Sequence, residues 1–73
     1  MLNINFDIVE EVATLAETAG GYTLAVNVVS WNGMEPKVDI RRWSPDGQPK
    51  KGIALSKEQA ILMAEAILEK VNY

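Results

Sequence analysis

The sequence predicts an α+β fold, an antiparallel meander of β-strands followed by one C-terminal helix. Three observations predict it. Stretches of β-forming residues alternate apolar and polar side chains with a two-residue period, Asn-Gly and Ser-Pro-Asp-Gly signals turn the chain between them, and a Ser-Lys-Glu-Gln start opens an apolar periodic run near the C-terminal end.

The first segment reads two ways. Ile4, Phe6 and Ile8 alternate as in a strand, whereas Asp7, Ile8, Val9, Val12, Leu15, Ala16 and Ala19 also fit a capped helix ending at Gly20-Gly21. A strand over residues 4–15 is preferred, because it forms a hairpin through Gly20-Gly21 with the strand that follows. Residues 22–31, YTLAVNVVSW, place Leu24, Val26 and Val28 on one face and Thr23, Ala25, Asn27, Val29 and Trp31 on the other. Asn32-Gly33 then turns the chain. Residues 37–43 direct Val38 and Ile40 inward and Lys37, Asp39, Arg41 and Trp43 outward, and Ser44-Pro45-Asp46-Gly47 turns it again. After a loop holding Pro49 and Lys50, residues 51–55 form a short strand with Ile53 and Leu55 toward the core. Ser56 caps a helix over residues 57–72, with Gln59 in the capping-box position.

The apolar stripe of that helix is broader than one small sheet needs. Ala60, Ile61, Met63, Ala64, Ile67, Leu68 and Val71 are joined by Leu62 and Ala66, which leaves a narrow polar edge of Glu58, Glu65, Glu69 and Asn72. A second burial surface explains the excess, and a second copy of the chain supplies it, with Leu62, Ile67, Leu68 and Val71 at the interface. The totals agree. Seventy-three residues, 48% hydrophobic, make one domain spanning 1–73 with a thin core, and no cysteine is present to staple it. A homodimer is therefore expected. The N-terminal stretch MLNINFDIVEE has acids where a signal peptide carries basic residues, and no apolar run approaches the ~20 residues of a membrane span, so a cytoplasmic protein without membrane attachment is expected.

Charge is segregated along the chain. Residues 1–36 carry Asp7, Glu10, Glu11, Glu17 and Glu35 without a single Lys or Arg, whereas residues 37–57 hold Lys37, Arg41, Arg42, Lys50, Lys51 and Lys57 against Asp39 and Asp46. One basic region thus sits on a chain of net charge −3. With no His and no Cys, the commonest general base, the strongest nucleophile and the best zinc ligands are missing, so neither an enzyme nor a cofactor or metal site is expected. Gly20-Gly21 lacks the following Lys-Ser or Lys-Thr of a phosphate loop and reads as a turn.

The basic region also contains both tryptophans. Trp31 and Trp43 on the sheet face opposite the core, beside Lys37 and Arg41, form a pattern suited to single-stranded nucleic acid, in which each unstacked base offers a π-face and cations track the phosphates. Each ring taken alone reads equally well as a core residue. Asp39, on the same face, orients Arg41; Arg42 has the opposite parity; Lys50 and Lys51 read equally as a solvated loop or as phosphate contacts.

The runs VSWN, EPKVDIRRWSPDG and KKGIALSKEQ resemble the signatures of the positive cofactor four family of single-stranded-DNA-binding transcriptional coactivators, and in particular its bacterial YdbC-like branch. The similarity covers residues 27–59. It implies a curved four-stranded antiparallel β-sheet followed by one C-terminal α-helix, dimerised partly through the helices, with single-stranded DNA held across the sheet. It further implies stacking roles for Trp31 and Trp43 and nucleic-acid contacts for Arg41 and Lys51, with Lys37 and Lys50 beside them. The chain departs from the family pattern at Thr23, Leu24 and Ala25, where relatives are expected to be more charged, and in a shorter loop between Gly47 and Lys50. Both departures remove or move cations. A dimeric protein-interaction module using the tryptophan face is the alternative reading, and RNA is the less favoured nucleic acid, because no residue stands out as a reader of a 2′-hydroxyl.

Overall fold

The computed structural model describes residues 5–72, and within them the chain forms β1 (Phe6–Glu17), β2 (Thr23–Trp31), β3 (Lys37–Trp43), β4 (Pro49–Leu55) and α1 (Lys57–Lys70). The four strands make one antiparallel sheet in the order β1-β2-β3-β4. The fold class and the meander agree with the sequence, and the ambiguous first segment is a strand. Its expected start at Ile4 lies outside the described residues, and its end runs two residues past Leu15, to Glu17.

β1 explains its own ambiguity. Its 12 residues pair with the 9 of β2, and the register slips between Ile8 and Glu10, Glu11 and Ala13, and Thr14 and Ala16. Val9, Val12 and Leu15 are the extra residues, one in every three. A bulge leaves its extra residue unpaired and adds twist, so three in succession coil the strand and the sheet that follows it.

The turns are chemically specified. Between β1 and β2, the Gly21 and Tyr22 amides donate to the Thr18 carbonyl and Thr18 Oγ1 at 3.0 and 3.1 Å, with Gly21 at φ 87°. Between β2 and β3, Asn32 (φ 52°) and Gly33 (φ 72°) begin a five-residue loop, their left-handed backbone turning the chain so that the Met34 amide donates to the Trp31 carbonyl at 2.9 Å. The Ser44 hydroxyl donates to the Asp46 carboxylate and accepts from the Gln48 amide at 3.1 Å, closing the third turn. That hydroxyl, ahead of smaller contributions, holds the Asp46 carboxyl below its ordinary range. Ser56 caps α1 as expected, its Oγ accepting from the Gln59 amide at 3.1 Å while Gln59 Oε1 accepts from the Ser56 amide at 3.0 Å.

Burial corrects the sequence reading. The face assigned to the core, with Leu24, Val26, Val28, Val38 and Ile40, is only half-buried, and Ile53 is 54% exposed. The most buried strand residues, Ala25, Asn27, Val29, Asp39 and Trp43, all lie on the face expected to point outward. Curvature is the cause. The coiled sheet closes its concave face over itself and leaves its convex face open beside α1, which contributes no buried residue. Between helix and convex face runs an apolar groove of about 720 Å³, lined by Leu15, Val26, Val38 and Ile40 and by Ala60, Met63, Ile67 and Leu68 of the helix.

Candidate nucleic-acid interface

Trp31 and Trp43 stand at opposite ends of the β2–β3 ladder, since Trp43 pairs with Thr23 at the far end of the strand that Trp31 closes. In a flat sheet their α-carbons would lie about 26 Å apart, at roughly 3.3 Å per residue. Their ring centroids are 6.4 Å apart and their planes differ by 9°. The concave face is therefore curled tightly enough for two distant side chains to meet above it. Phe6, paired with Trp31 from β1, fits against both, at 5.6 Å from Trp31 and 5.3 Å from Trp43.

These rings form a lid. The same face of the sheet carries the buried residues Ala25, Asn27, Val29 and Asp39, so the most buried described positions include an asparagine and a carboxylate. Trp43 is 6% exposed and Trp31 is half-buried, so the rings do not form the open platform that the alternation of β3 suggested. Both indole Nε1 atoms are buried with no hydrogen-bond partner among the described residues.

Arg41 completes the lid. Its guanidinium carbon lies 4.6 Å from the centroid of the Trp31 ring, while Nε and Nη2 donate to the two oxygens of Asp39 at 2.7 Å each and Nη1 donates to the Lys50 carbonyl at 3.0 Å. Asp39's side chain is 0% exposed and Arg41's 16%. Two terms fix the arginine, and their sizes differ. A cation over a ring contributes about 0.5–2 kcal/mol, whereas breaking a buried pair by removing one partner costs about 3–5 kcal/mol. Asp39 thus decides where Arg41 lies, as its position two residues upstream suggested.

Of the other expected contacts, Lys37 at the start of β3 and Lys50 and Lys51 in β4 are exposed, and Lys50 is joined to the cluster through its carbonyl. Arg42 is exposed and opposite in parity. Glu11 lines a cleft of about 530 Å³ with Thr14, Asn27 and Trp43 on the β1 side. Lys37 shares the parity of Arg41, whereas Lys50 and Lys51 stand at the register irregularity of the outer strand β4, opposite Arg42. The sequence reading missed Phe6 and Gly52. Phe6 carried a signal in its parity, and Gly52 in being a glycine inside a strand, which marks a close approach of backbones. Gly52 pairs with Arg41, and a β-carbon there would collide with the Arg41 β-carbon and the Ile40 carbonyl.

A family model described as Transcriptional Coactivator p15 (PC4) matches residues 21–65, from the first turn through most of the helix. The chain belongs to this family. The match spans the two tryptophans, Asp39, Arg41 and Gly52 and begins after Phe6, so the lid lies within the p15 (PC4) match except for the ring that β1 adds to it. A general DNA-binding, coactivator-like role follows from that membership. An uncharacterized protein of Treponema pallidum (strain Nichols) is similar as well, 29% identical over 66 residues that cover 89% of this chain and 78% of that protein. Among the described residues, no helix of this p15 (PC4) family member is long and apolar enough to cross a membrane, and no group of three or more metal-ligating side chains is gathered.

Proposed function

We propose that this chain is a homodimeric protein that binds single-stranded DNA with little sequence preference and acts as a coactivator or regulator in transcription, or in replication or repair. One observation carries the reading. In a p15 (PC4) family domain, an aromatic and arginine surface on the concave face is bordered by the exposed cations Lys37, Lys50 and Lys51. Such a border suits phosphates; Trp43, 6% exposed, is an open ring for neither a base nor a protein partner, so the exposed cations favour nucleic acid over a protein-interaction face. The reading is of a binding protein and not an enzyme, in keeping with a sequence devoid of His and Cys. Cytoplasmic residence belongs to the same proposal.

Titration of a labelled oligo-dT in rising salt tests it. Each phosphate contact on a single strand contributes about 0.7 to the slope of log K against log salt, so three lysines per chain give a slope of about 2 per chain. Duplex of the same length is expected to bind more weakly. Binding that ignores salt would transfer the surface to a protein partner.

The dimer rests on the helix. Ile61, Leu62, Ile67, Leu68 and Val71 are 47, 67, 48, 85 and 50% exposed within one chain, and the apolar groove beside them is open. A second copy covers both. The protein is expected to sediment at twice the 8.0 kDa of one chain, and Leu68→Glu at micromolar concentration is expected to sediment as a single chain with a lower melting temperature. A parent protein that is monomeric and folded at that concentration sinks the dimer.

A further inference from the structure

We infer that Arg41 meets nucleic acid as a charge-paired stacking plate held in place by Asp39, and that Asp39 is its positioning residue, so that phosphate tracking falls to Lys37, Lys50 and Lys51. The inference rests on the single-stranded-DNA reading and assigns the chemistry within that site. Three observations carry it. Both oxygens of the fully buried Asp39 accept from Arg41 at 2.7 Å, which neutralises the cation where it lies. Moving Arg41 out to a phosphate would leave that carboxylate buried and unpaired, so the guanidinium stays. It also covers the Trp31 ring at 4.6 Å. A base that arrives there meets the plane of Arg41, with Trp31 beneath it, in place of the bare indole.

Pairing has a consequence for ion release. A cation already matched by a buried anion displaces few of the counterions condensed on the phosphates, so Arg41 adds affinity by stacking and adds little to the salt slope. The exposed lysines do the opposite. The five N–H groups of a guanidinium leave two free after the three bonds formed here, and these border the plate without changing its net charge.

The test uses the full chain, oligo-dT and a salt series. Arg41→Lys keeps the charge and a partner for Asp39 but loses the plane; it is expected to weaken binding about tenfold at every salt concentration with the slope unchanged, since a stacked base contributes on that scale. A phosphate-binding arginine would tolerate lysine, so parental affinity in Arg41→Lys overturns the inference. Asp39→Asn frees the charge of Arg41 and is expected to steepen the slope by about 0.7. A folded Asp39→Asn variant with the parental slope also overturns it. Should Asp39→Asn fail to fold by circular dichroism, the double variant Asp39→Asn with Arg41→Gln removes both charges together and is expected to keep the parental slope; a slope lower by about 0.7 in the double variant assigns Arg41 to a phosphate. Failure of the parent to bind oligo-dT at all strikes the underlying reading, and is thereby distinct from these outcomes.

Discussion

Truncating Trp43 to alanine is expected to destabilise the fold by about 3–5 kcal/mol, the range for large aromatic residues removed from a core. Trp43 is 6% exposed, packs against Phe6 at 5.3 Å and lies parallel to Trp31, so its loss opens the aromatic cluster beside Ala25 and Asn27, which line the same cleft. The scale is severe for this chain. At roughly 0.05–0.15 kcal/mol per residue, 73 residues give a total stability of about 4–11 kcal/mol. Urea unfolding monitored by circular dichroism should show a large fall in midpoint for Trp43→Ala and a smaller one for the half-buried Trp31→Ala. Trp43→Phe keeps a ring in the lid and should lie between Trp43→Ala and the parent. An unchanged midpoint in Trp43→Ala, with loss confined to oligonucleotide binding, would mean that the ring is a free platform and not a lid.

Gly52→Ala should be comparably damaging, although it adds only a methyl group. The new β-carbon would meet the Arg41 β-carbon and the Ile40 carbonyl, which are anchored in β3 and cannot swing aside as a side-chain tip can. Overpacking costs about 1–3 kcal/mol by itself. Here it also displaces Arg41 from Asp39, and an orphaned buried charge adds about 3–5 kcal/mol. The sum, about 4–8 kcal/mol, is comparable to the whole stability of this small domain, so the variant is expected to be severely destabilised at 25 °C. Gly47→Ala is the fitting control: Gly47 has φ 83° with open space around it, so only the left-handed conformation is charged against it, about 1–2 kcal/mol. A melting temperature for Gly52→Ala within a few degrees of the parent would refute the close approach.

These two positions show what alternation along a strand conveys and what it omits. Parity was legible throughout: Trp43, Arg41, Asp39 and Lys37 share a face, as do Val38 and Ile40, and the turns at Asn32-Gly33 and Ser44 to Gly47 fix that register. The capping box at Ser56 and Gln59 was legible for the same reason, since it depends on neighbours three residues apart. Which face would be covered was not legible, because that depends on curvature, and curvature is set by β1. There, the extra residues Val9, Val12 and Leu15 recur every three positions, close enough to the 3.6-residue period of a helix to imitate one. Arg41 and the tryptophans were found from composition and family resemblance, and Phe6 was missed because its partners lie on other strands, far along the chain.

The bulges of β1 bear also on edge-to-edge association between copies of the chain. β1 is an outer strand whose Ile8, Val9, Val12 and Leu15 are 42, 59, 54 and 56% exposed, and a straight, apolar outer strand is a template on which further chains stack into fibrils. An incoming strand needs an unbroken row of alternating donors and acceptors. β1 interrupts its row at Val9, Val12 and Leu15, and sets Glu10 and Glu11 between the interruptions. The irregularity that curls the sheet around its lid therefore also denies neighbouring molecules a regular edge to copy.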